Sequence, residues 1–454
     1  MSAPIDDLVA RLPVGVVATD PDVVEKYRHD WTRDPHAGTP IAVVRAESTE
    51  QVQTTMRWAS AHGIPVVPRG AGSGLAGGAS AVDGGIVLCL ERMRAVEIDP
   101  DSRVAVVEPG AFNAEVKAAA AEHGLWYPPD PSSFEICSIG GNIATNAGGL
   151  CCVKYGVTTD YVLGLDVVLA DGTLLRMGGK RIKDVAGLSL MKLFVGSEGT
   201  LGIVTRAVLR LVPAHGARST LVALFPTSRA AAEAVVAMGR TVRACLVEFM
   251  DQRAIEVVDD FLGMGLDRSA GGLLVVQSDA PGPAREVEMA EVERCAQAAG
   301  ATECYRTDDP DEGESFLVAR RAFFPATERL GSLLIEDVGV PVPRLPDLLD
   351  GIAAIARRHD TDIPVVAHAG DGNTHPNLIF DGADPAARER AEAAFEEIMT
   401  LAIDLGGTIT GEHGVGRAKR GSLAAQLGPE VMDVTRRIKE ALDPARILNP
   451  GAAI

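Results

Sequence analysis

The chain has 454 residues, with 43 lysines and arginines against 62 aspartates and glutamates, so its net charge at pH 7 is −19. This length is typical of two or three domains. The negative charge argues against non-specific nucleic-acid binding, which needs positive surface to displace counterions.

The first residues lack the basic and apolar regions of a signal peptide, and no apolar run approaches the roughly 20 residues of a membrane span. Seven cysteines are scattered without a CxxC pair, so neither an iron–sulfur nor a structural zinc signature is present. Such an odd, unpatterned set suits a reducing compartment, and we expect a cytoplasmic protein.

The N-terminal part alternates predicted strands and helices. TPIAVVRA predicts a strand, and STEQVQTTMRWASAHG predicts a helix that begins after Ser48 and ends at Gly63. IPVVPRG predicts a strand that leads into a glycine-rich loop. DVVLADGTLLRMGG predicts a hairpin with Asp171-Gly172 as a two-residue turn.

The pattern changes from Ser219 onward. TLVALF, ACLVEFM and GLLVVQSD predict strands, and Ala-rich and Glu-rich helices separate them. This predicts an independent α+β domain with helices on one face of an antiparallel sheet. The tail PEVMDVTRRIKEALDPARILNPG predicts a helix that ends near Pro444.

Three glycine-rich stretches lie in the N-terminal half. In the first, VVPRGAGSGLAGGA (Val66–Ala79), glycines allow consecutive N–H groups to form an anion-binding concavity. It is neither a Rossmann fingerprint nor a Walker A loop. By itself it fits a diphosphate site and a flexible surface loop equally well. The others, SIGGNIATNAGGLCCVKYG and VGSEGTLGIVT, place small uncharged residues where a flat ring could approach the backbone.

These stretches are followed in order by the motifs HxGDGNxH, GEHG and NPG. In this order they resemble the vanillyl-alcohol oxidase/PCMH superfamily, in the branch that groups a component of glycolate oxidase with the D-lactate and D-2-hydroxyglutarate dehydrogenases. The resemblance covers residues from about 40 to 451. It implies an α+β fold, with a PCMH-type FAD-binding domain at 1–215 plus the tail 420–454. A ferredoxin-like α+β substrate (cap) domain would occupy 216–419, carry the metal site and precede the tail that returns to the flavin domain.

The resemblance implies FAD, with its diphosphate on the loop from Arg69 to Gly78 and its isoalloxazine along residues 139–149. FAD is expected to be non-covalent, because residues 68–79 contain neither histidine nor cysteine. The residues implied in FAD binding are Pro68, Arg69, Gly70, Ala71, Gly72, Ser73, Gly74, Gly77, Pro131, Ser138, Gly140, Gly141, Asn142, Thr145, Asn146, Gly148, Gly149, Tyr155, Gly156, Glu198, Gly199, Ile203 and Asn449.

The segment VVAHAGDGNTHPNL contains His368 and His375, and GGTITGEHGVGRAKR contains Glu412. A lone histidine is usually an ordinary core or surface residue. Together these three residues offer the N,N,O donors of a catalytic metal site with open positions. We expect a divalent cation, with Zn²⁺ and Mn²⁺ as first candidates, although the donor set also suits Fe and Co.

The resemblance assigns the same three residues as metal ligands and implies roles for their neighbours. His413 would be the general base beside the flavin, and Asn377 would contact the substrate. Arg320 would clamp the substrate carboxylate through its guanidinium fork, with Arg321 as the neighbouring alternative. Asp371 is interpreted as the residue that orients a ligand histidine. These roles predict a FAD-linked dehydrogenase or oxidase that converts a D-2-hydroxy acid into a 2-oxo acid.

Two positions depart from the hydroxyglutarate-specific branch. Phe324 and Ile335 stand where that branch would have a threonine and a lysine. Loss of these polar partners disfavours a second substrate carboxylate, so glycolate, D-lactate or a longer apolar homologue fits better than D-2-hydroxyglutarate.

Electrons must leave the reduced FAD, and the chain has no cysteine cluster of its own for an iron–sulfur centre. The resemblance implies a quinone, an iron–sulfur protein or another electron-transfer protein as acceptor, with peripheral membrane location through that partner. A homodimer is a further expected assembly. Two alternatives are a non-redox flavoenzyme of the ether-lipid synthase type and a flavin- or metal-binding protein without turnover.

Overall fold

The computed structural model describes residues 4–454, and its internal contacts divide the chain into two compact units. Unit 1 comprises the chain up to Gly148, Val157–Ala214 and Glu412–Ile454, and unit 2 comprises Gly149–Gly156 and His215–Gly411. The expected domain boundary at 419/420 differs from this division, since unit 1 resumes at residue 412. Residues 149–156 also differ, because they belong to unit 2 and not to the unit that contains the glycine-rich loop.

Up to Ala214, the helices are α1 (Pro4–Arg11), α2 (Pro21–Glu25), α3 (Thr49–His62), α4 (Asn113–Ala121), α5 (Ile139–Thr145), α6 (Cys152–Tyr155) and α7 (Met191–Phe194). The strands are β1 (Val17–Ala18), β2 (Ala42–Arg45), β3 (Val66–Arg69), β4 (Ile86–Cys89), β5 (Val96–Asp99), β6 (Val104–Val107), β7 (Leu125–Trp126), β8 (Val162–Val168), β9 (Leu174–Gly178), β10 (Ile203–Arg210) and β11 (Val212–Pro213).

After Ala214, the helices are α8 (Ser228–Met238), α9 (Gln252–Leu262), α10 (Pro283–Ala298), α11 (Pro310–Arg321), α12 (Phe323–Glu328), α13 (Leu345–His359), α14 (Pro385–Asp404) and α15 (Arg420–Leu442). The strands are β12 (Ser219–Phe225), β13 (Leu246–Asp251), β14 (Gly272–Ser278), β15 (Glu303–Thr307), β16 (Ser332–Ile335), β17 (Val338–Gly339), β18 (Val365–His368) and β19 (Asn373–Phe380). Among the residues described, no helix has both the length and the apolar character needed to cross a bilayer.

Unit 1 contains a four-stranded sheet in the order β1-β2-β4-β3 and a five-stranded antiparallel sheet in the order β5-β6-β10-β8-β9. Helix α3 buries Met56 and Trp58 against the first sheet. As predicted, Ser48 caps this helix, and Gly63 ends it in the left-handed conformation (φ 64°).

The C-terminal tail returns to the first sheet of unit 1. The amide of Val66 donates to the Ile447 carbonyl over 2.7 Å, and the amide of Asn449 donates to the Val66 carbonyl over 2.8 Å. The tail therefore extends β3 on the side opposite β4, and Leu448 is fully buried there. The hairpin of β8 and β9 has a three-residue loop where two residues were predicted, because the Leu169 amide still pairs with the Thr173 carbonyl (2.9 Å).

Unit 2 is built on an antiparallel sheet in the order β15-β12-β14-β13-β18-β19-β16, with β17 also paired to β19. One face packs Val222, Met250 and Val275 against α9, α11 and α12. The other face packs against α8 and α10, and a Cβ on Gly272 would lie 3.3 Å from the Ala231 side chain of α8. The prediction of helices on one face is therefore wrong. Strands β12 and β14 are buried at nearly every position and contain the apolar runs LVALF and LLVV, so both of their faces are covered.

Candidate active site

The glycine-rich loop of unit 1 follows β3 and presents unpaired backbone donors. Within residues 4–454, the amides of residues 72–78 donate to no protein acceptor, although the loop is partly or fully buried. Gly72 and Gly77 both have a φ of 76°, which favours glycine. A run of N–H groups without protein acceptors in a partly buried loop fits a bound anionic group such as a diphosphate.

Ser138 fixes the start of this loop against α5. Its Oγ accepts hydrogen bonds from the amides of Ala71 (3.2 Å) and Gly141 (3.3 Å). A Cβ on Gly70 would lie 2.2 Å from the same oxygen. A side chain at position 70 would therefore separate the loop from α5.

Other residues predicted to bind FAD hold the loops of unit 1 together. Arg69 donates to the His29 carbonyl over 2.8 Å, and a Cβ on Gly72 would lie 2.0 Å from the Arg69 guanidinium. Gly140 is in close contact with Pro109, where a Cβ would approach the proline side chain to 2.6 Å. Gly199 lies equally close to Pro68. Close packing between loops thus accounts for part of the glycine pattern.

Glu198 links the third glycine-rich stretch to the chain that follows the GEHG motif. It has a positive φ of 50°, and its two carboxylate oxygens accept the amides of Val415 and Gly416 over 2.8 Å each. Burial raises the pKa of this carboxyl to about 7, although the two amide hydrogen bonds oppose the shift. Asn449 donates from Nδ2 to the carbonyls of Gly78 and Glu198, also over 2.8 Å. Glu198 and Asn449 therefore join the first and third glycine-rich stretches to the chain that follows the GEHG motif.

The remaining predicted FAD residues have varied surroundings. Asn142 accepts from Asn113 Nδ2 over 3.1 Å, and Asn146 caps α5 in the left-handed conformation while accepting from the Thr159 amide over 2.9 Å. Thr145 donates to the Gly141 carbonyl over 3.2 Å, and Ile203 belongs to the hydrophobic core. Pro131 and Gly148 are buried in unit 1, and Ser73 and Gly74 lie in the glycine-rich loop.

Three predicted FAD residues, Gly149, Tyr155 and Gly156, lie in unit 2. The Tyr155 hydroxyl and the Lys154 ammonium both bind the carboxylate of Asp279. Burial, followed by the hydrogen bond to Asp279, raises the pKa of Tyr155. The KYG motif therefore anchors this short segment to the chain just after β14 of unit 2.

A row of buried polar side chains crosses three neighbouring strands of unit 2. Glu248 on β13 pairs directly with His368 on β18, and His368 pairs with Asn373 on β19. Directly opposed residues share a sheet face, as do residues two apart on one strand. His375 and Asn377 therefore project from the same face as Glu248 and His368.

The two predicted metal-ligand histidines of unit 2 are adjacent and buried. Their rings are 5.0 Å apart between centroids and nearly perpendicular (81°). Nδ1 of His368 lies 2.7 Å from Oε1 of Glu248, which favours the tautomer with Nε2 free of a proton. Glu248 is thus a carboxylate that orients this histidine, and Asp371 accepts from the Asn373 amide (3.2 Å) in the turn after β18.

Arg320 approaches the same carboxylate from α11. Its Nε lies 2.8 Å from Oε2 of Glu248, as an ion pair and not a well-aligned hydrogen bond, and its side chain is 7% exposed. Its buried Nη2 has no acceptor among the described residues. Arg321, the alternative, pairs with Glu314 at the surface. Arg320 therefore has a donor to offer to a bound carboxylate.

Asn377 is held by α12. Its Nδ2 donates to Thr327 Oγ1 over 3.0 Å, and its buried Oδ1 has no donor among the described residues. Ile335 on β16 is its direct partner across the sheet and shares its face. One polar atom and one apolar side chain thus lie side by side at this position.

A second carboxylate, Asp337, organises the chain before Glu412. Its Oδ1 accepts from Asn373 Nδ2 over 2.8 Å and lies 3.7 Å from Nδ1 of His375. Its Oδ2 accepts from the Thr410 hydroxyl (2.7 Å) and the Gly411 amide (3.0 Å). Glu412 and His413 follow Gly411 directly and begin the last segment of unit 1, with their side chains 3.8 Å apart.

Three residues that make several of these polar contacts were not predicted from the sequence. They are Glu248, Asp337 and Arg417. Each acid is a charged residue in an apolar strand segment (ACLVEFM and LLIEDVGV), which is a usable signal because unpaired charges are rarely buried. Arg417 donates to the Pro450 carbonyl (2.7 Å) and to Asn449 Oδ1 (3.1 Å), and burial lowers its pKa. No local pattern marks Arg417, since its partners are distant in the chain.

Comparison with known proteins places this arrangement in a family. Residues 214–453 match the model for the C-terminal domain of FAD-linked oxidases, and residues 40–178 match that for the FAD binding domain. The chain belongs to the FAD-linked oxidases. Its cofactor is therefore FAD, which the donor set of residues 72–78 fits, and the protein is a FAD-linked oxidoreductase.

Relatives with assigned activities span nearly the full chain. Glycolate oxidase subunit GlcD of Bacillus subtilis is 42% identical over 94% of this chain and 91% of its own length. GlcD of Escherichia coli is 36% identical, over 91% and 84% respectively. D-lactate dehydrogenase of Archaeoglobus fulgidus is also 36% identical, over 95% and 96%.

Solved structures confirm the predicted fold class. p-Cresol methylhydroxylase with substrate bound superimposes with a TM-score of 0.83 at 18% identity, over 99% of this chain and 95% of that chain. Alkyldihydroxyacetonephosphate synthase superimposes with a TM-score of 0.76 at 19% identity, over 98% and 84%. At such identities the likeness concerns the fold alone.

Proposed function

We propose that this FAD-linked oxidase oxidises a small 2-hydroxy acid, glycolate or a D-acid such as D-lactate, to the 2-oxo acid. One observation carries the proposal: a single buried carboxylate, Glu248, contacts both His368 and Arg320. An imidazole ring and a guanidinium are thereby held next to the same carboxylate, where each could bind a different group of the substrate site. That pair matches the adjacent hydroxyl and carboxylate of a 2-hydroxy acid. Relatives named for glycolate and D-lactate oxidation support the assignment.

His368 and His375, with Glu412, would hold a divalent cation, Zn²⁺ or Mn²⁺, through two nitrogens and one oxygen. The two buried rings and the tether on Nδ1 of His368 fit this role. A cation bound there would supply positive charge and would lower the pKa of the substrate hydroxyl.

The other residues would bind and orient the acid. Arg320 binds the substrate carboxylate, and Asn377 contacts the substrate through Oδ1. His413 takes the hydroxyl proton as general base. FAD, which the loop after β3 would hold without a covalent link, would supply an acceptor for the α-hydrogen as hydride. The electron pair of the C–H bond thus leaves with that hydrogen, and the C–O bond becomes a carbonyl.

We propose that the electrons of reduced FAD pass to a second component. The sequence has no cysteine cluster, and two relatives are named as subunits of glycolate oxidase. A quinone, an iron–sulfur protein or another electron-transfer protein fits this requirement. The proposed location is the cytoplasm, with membrane contact through that partner.

Turnover of purified protein with an artificial electron-accepting dye tests the proposal and its alternatives. We expect activity with glycolate or D-lactate and much less with L-lactate. The dicarboxylate alternative predicts a preference for D-2-hydroxyglutarate, which the apolar Ile335 beside Asn377 disfavours. Absence of turnover with every 2-hydroxy acid would contradict the proposal and favour the non-redox alternative or a binding protein without turnover.

A further inference from the structure

We infer that Glu248 is a positioning residue that couples divalent-cation binding to carboxylate binding in the substrate site. The inference rests on the proposed function and adds to it a residue that is neither a ligand of the divalent cation nor a binding partner of the substrate. It also adds a measurable consequence, which is that replacing this one side chain weakens the binding of both ligands.

The contacts of Glu248 commit its two oxygens to different partners. Oε1 lies 2.7 Å from Nδ1 of His368, and Oε2 lies 2.8 Å from Nε of Arg320. The side chain is 1% exposed, so solvent cannot replace either partner. The three residues come from β13, β18 and α11, so this carboxylate links elements that are distant in the chain.

Charge makes the two contacts interdependent. A buried carboxylate needs a cation beside it, and the cation here is Arg320. The same carboxylate polarises the imidazole of His368, which makes its other nitrogen a stronger ligand. If Arg320 is replaced by an uncharged residue, the buried Glu248 carboxylate loses both its compensating cation and the contact that orients Oε2. The contact by which Glu248 orients and polarises His368 therefore weakens, although Arg320 is not a metal ligand.

A change at Glu248 itself should in turn affect Arg320. In Glu248→Gln, the amide oxygen can still accept from His368, but the amide nitrogen then points N–H groups at Nε of Arg320, which is also a donor. Arg320 loses its anchor and its fixed orientation. Carboxylate affinity should therefore fall even in protein stripped of metal.

The experiment measures two affinities in FAD-loaded protein. Co²⁺ binding is measured by its visible absorption in competition with a chelator. Pyruvate binding is measured by the change in flavin absorbance after metal removal. The variants are Glu248→Gln and Arg320→Met. Gln277→Met is the matched control, because Gln277 is buried on the neighbouring strand β14 and hydrogen-bonds Thr220 over 3.0 Å instead.

We expect Glu248→Gln to weaken Co²⁺ binding about 10–100-fold and metal-free pyruvate binding about tenfold. Arg320→Met should weaken Co²⁺ binding about tenfold, and Gln277→Met should change neither affinity. Unaltered Co²⁺ affinity in Arg320→Met, or unaltered pyruvate affinity in Glu248→Gln, would overturn the coupling while leaving the proposed function intact. Failure of the unaltered protein to bind Co²⁺ would instead contradict the metal site of the proposed function, and the coupling with it.

Discussion

Arg320 and Arg321 are consecutive in α11, yet Arg320 contacts the buried Glu248 while Arg321 pairs with Glu314 at the surface. Their side chains are 7% and 35% exposed. The two positions thus form a natural pair of test and control for carboxylate recognition.

Arg320→Lys is expected to lower kcat/KM for the 2-hydroxy acid about 100-fold, because an ammonium cannot reproduce the fork that serves Glu248 and a substrate carboxylate together. Arg321→Lys should stay within about twofold of the unaltered protein. Steady-state kinetics with a dye acceptor measures both. Equal losses in the two variants would show that Arg320 has no special role in binding.

Gly70→Ala should lower FAD content and stability, because the new Cβ would meet Ser138 Oγ at 2.2 Å. Crowding of this kind typically costs about 1–3 kcal/mol. Adding Ser138→Ala removes the obstructing oxygen, so the double variant should be more stable than the sum of the single effects. Gly421→Ala is the control, since a Cβ there meets no atom within 4 Å. Additive losses in thermal unfolding and flavin content would argue against this contact.

Glu198 should make the stability of the protein depend on pH. Burial raises its pKa from 4.5 to about 7, so the folded state binds a proton that the unfolded state has released between these values. Its contribution therefore falls as pH rises from about 4.5 to 7, by on the order of 3 kcal/mol. The difference in unfolding free energy between unaltered protein and Glu198→Gln should change by this amount over the window. A constant difference would mean that burial does not raise the pKa of Glu198 in the folded protein.

Ile335→Lys should shift substrate preference towards a dicarboxylate. Ile335 pairs with Asn377 and shares its sheet face, so a lysine there could meet a second carboxylate. We expect the ratio of kcat/KM for D-2-hydroxyglutarate to that for D-lactate to rise about tenfold. Leu334→Lys is the control, because residue 334 projects from the opposite face. An equal shift in the control would indicate a general effect of charge.

Much of the fold follows from local sequence patterns. Alternation and apolar runs predicted β2, β3, β12, β13 and β14, and the signals at Ser48 and Gly63 predicted the bounds of α3. The placement of helices on both sheet faces of unit 2 was missed, although the continuous apolar run of β14 indicates two buried faces. The predicted hairpin loop was one residue too short, because the strand ladder ends at Leu169 and Thr173.

The candidate site was predictable where its residues belong to short sequence motifs. His368 and His375 were found from their spacing, and the structure brings them together. Glu248 was not found, because it lies 120 residues before His368 in a strand with no motif. Several glycines assigned to FAD contact are required for packing between loops, as at Gly140 against Pro109. Sequence spacing cannot distinguish a glycine that contacts FAD from a glycine that allows two loops to pack closely.

The most direct test of the proposed chemistry is anaerobic flavin absorbance of the purified protein, recorded with D- and L-2-hydroxy acids before and after chelation. We predict that glycolate or one D-acid bleaches the flavin, that the chelator abolishes bleaching, and that Zn²⁺ or Mn²⁺ restores it. Bound flavin that no 2-hydroxy acid reduces, with or without metal, would contradict metal-assisted oxidation of such an acid.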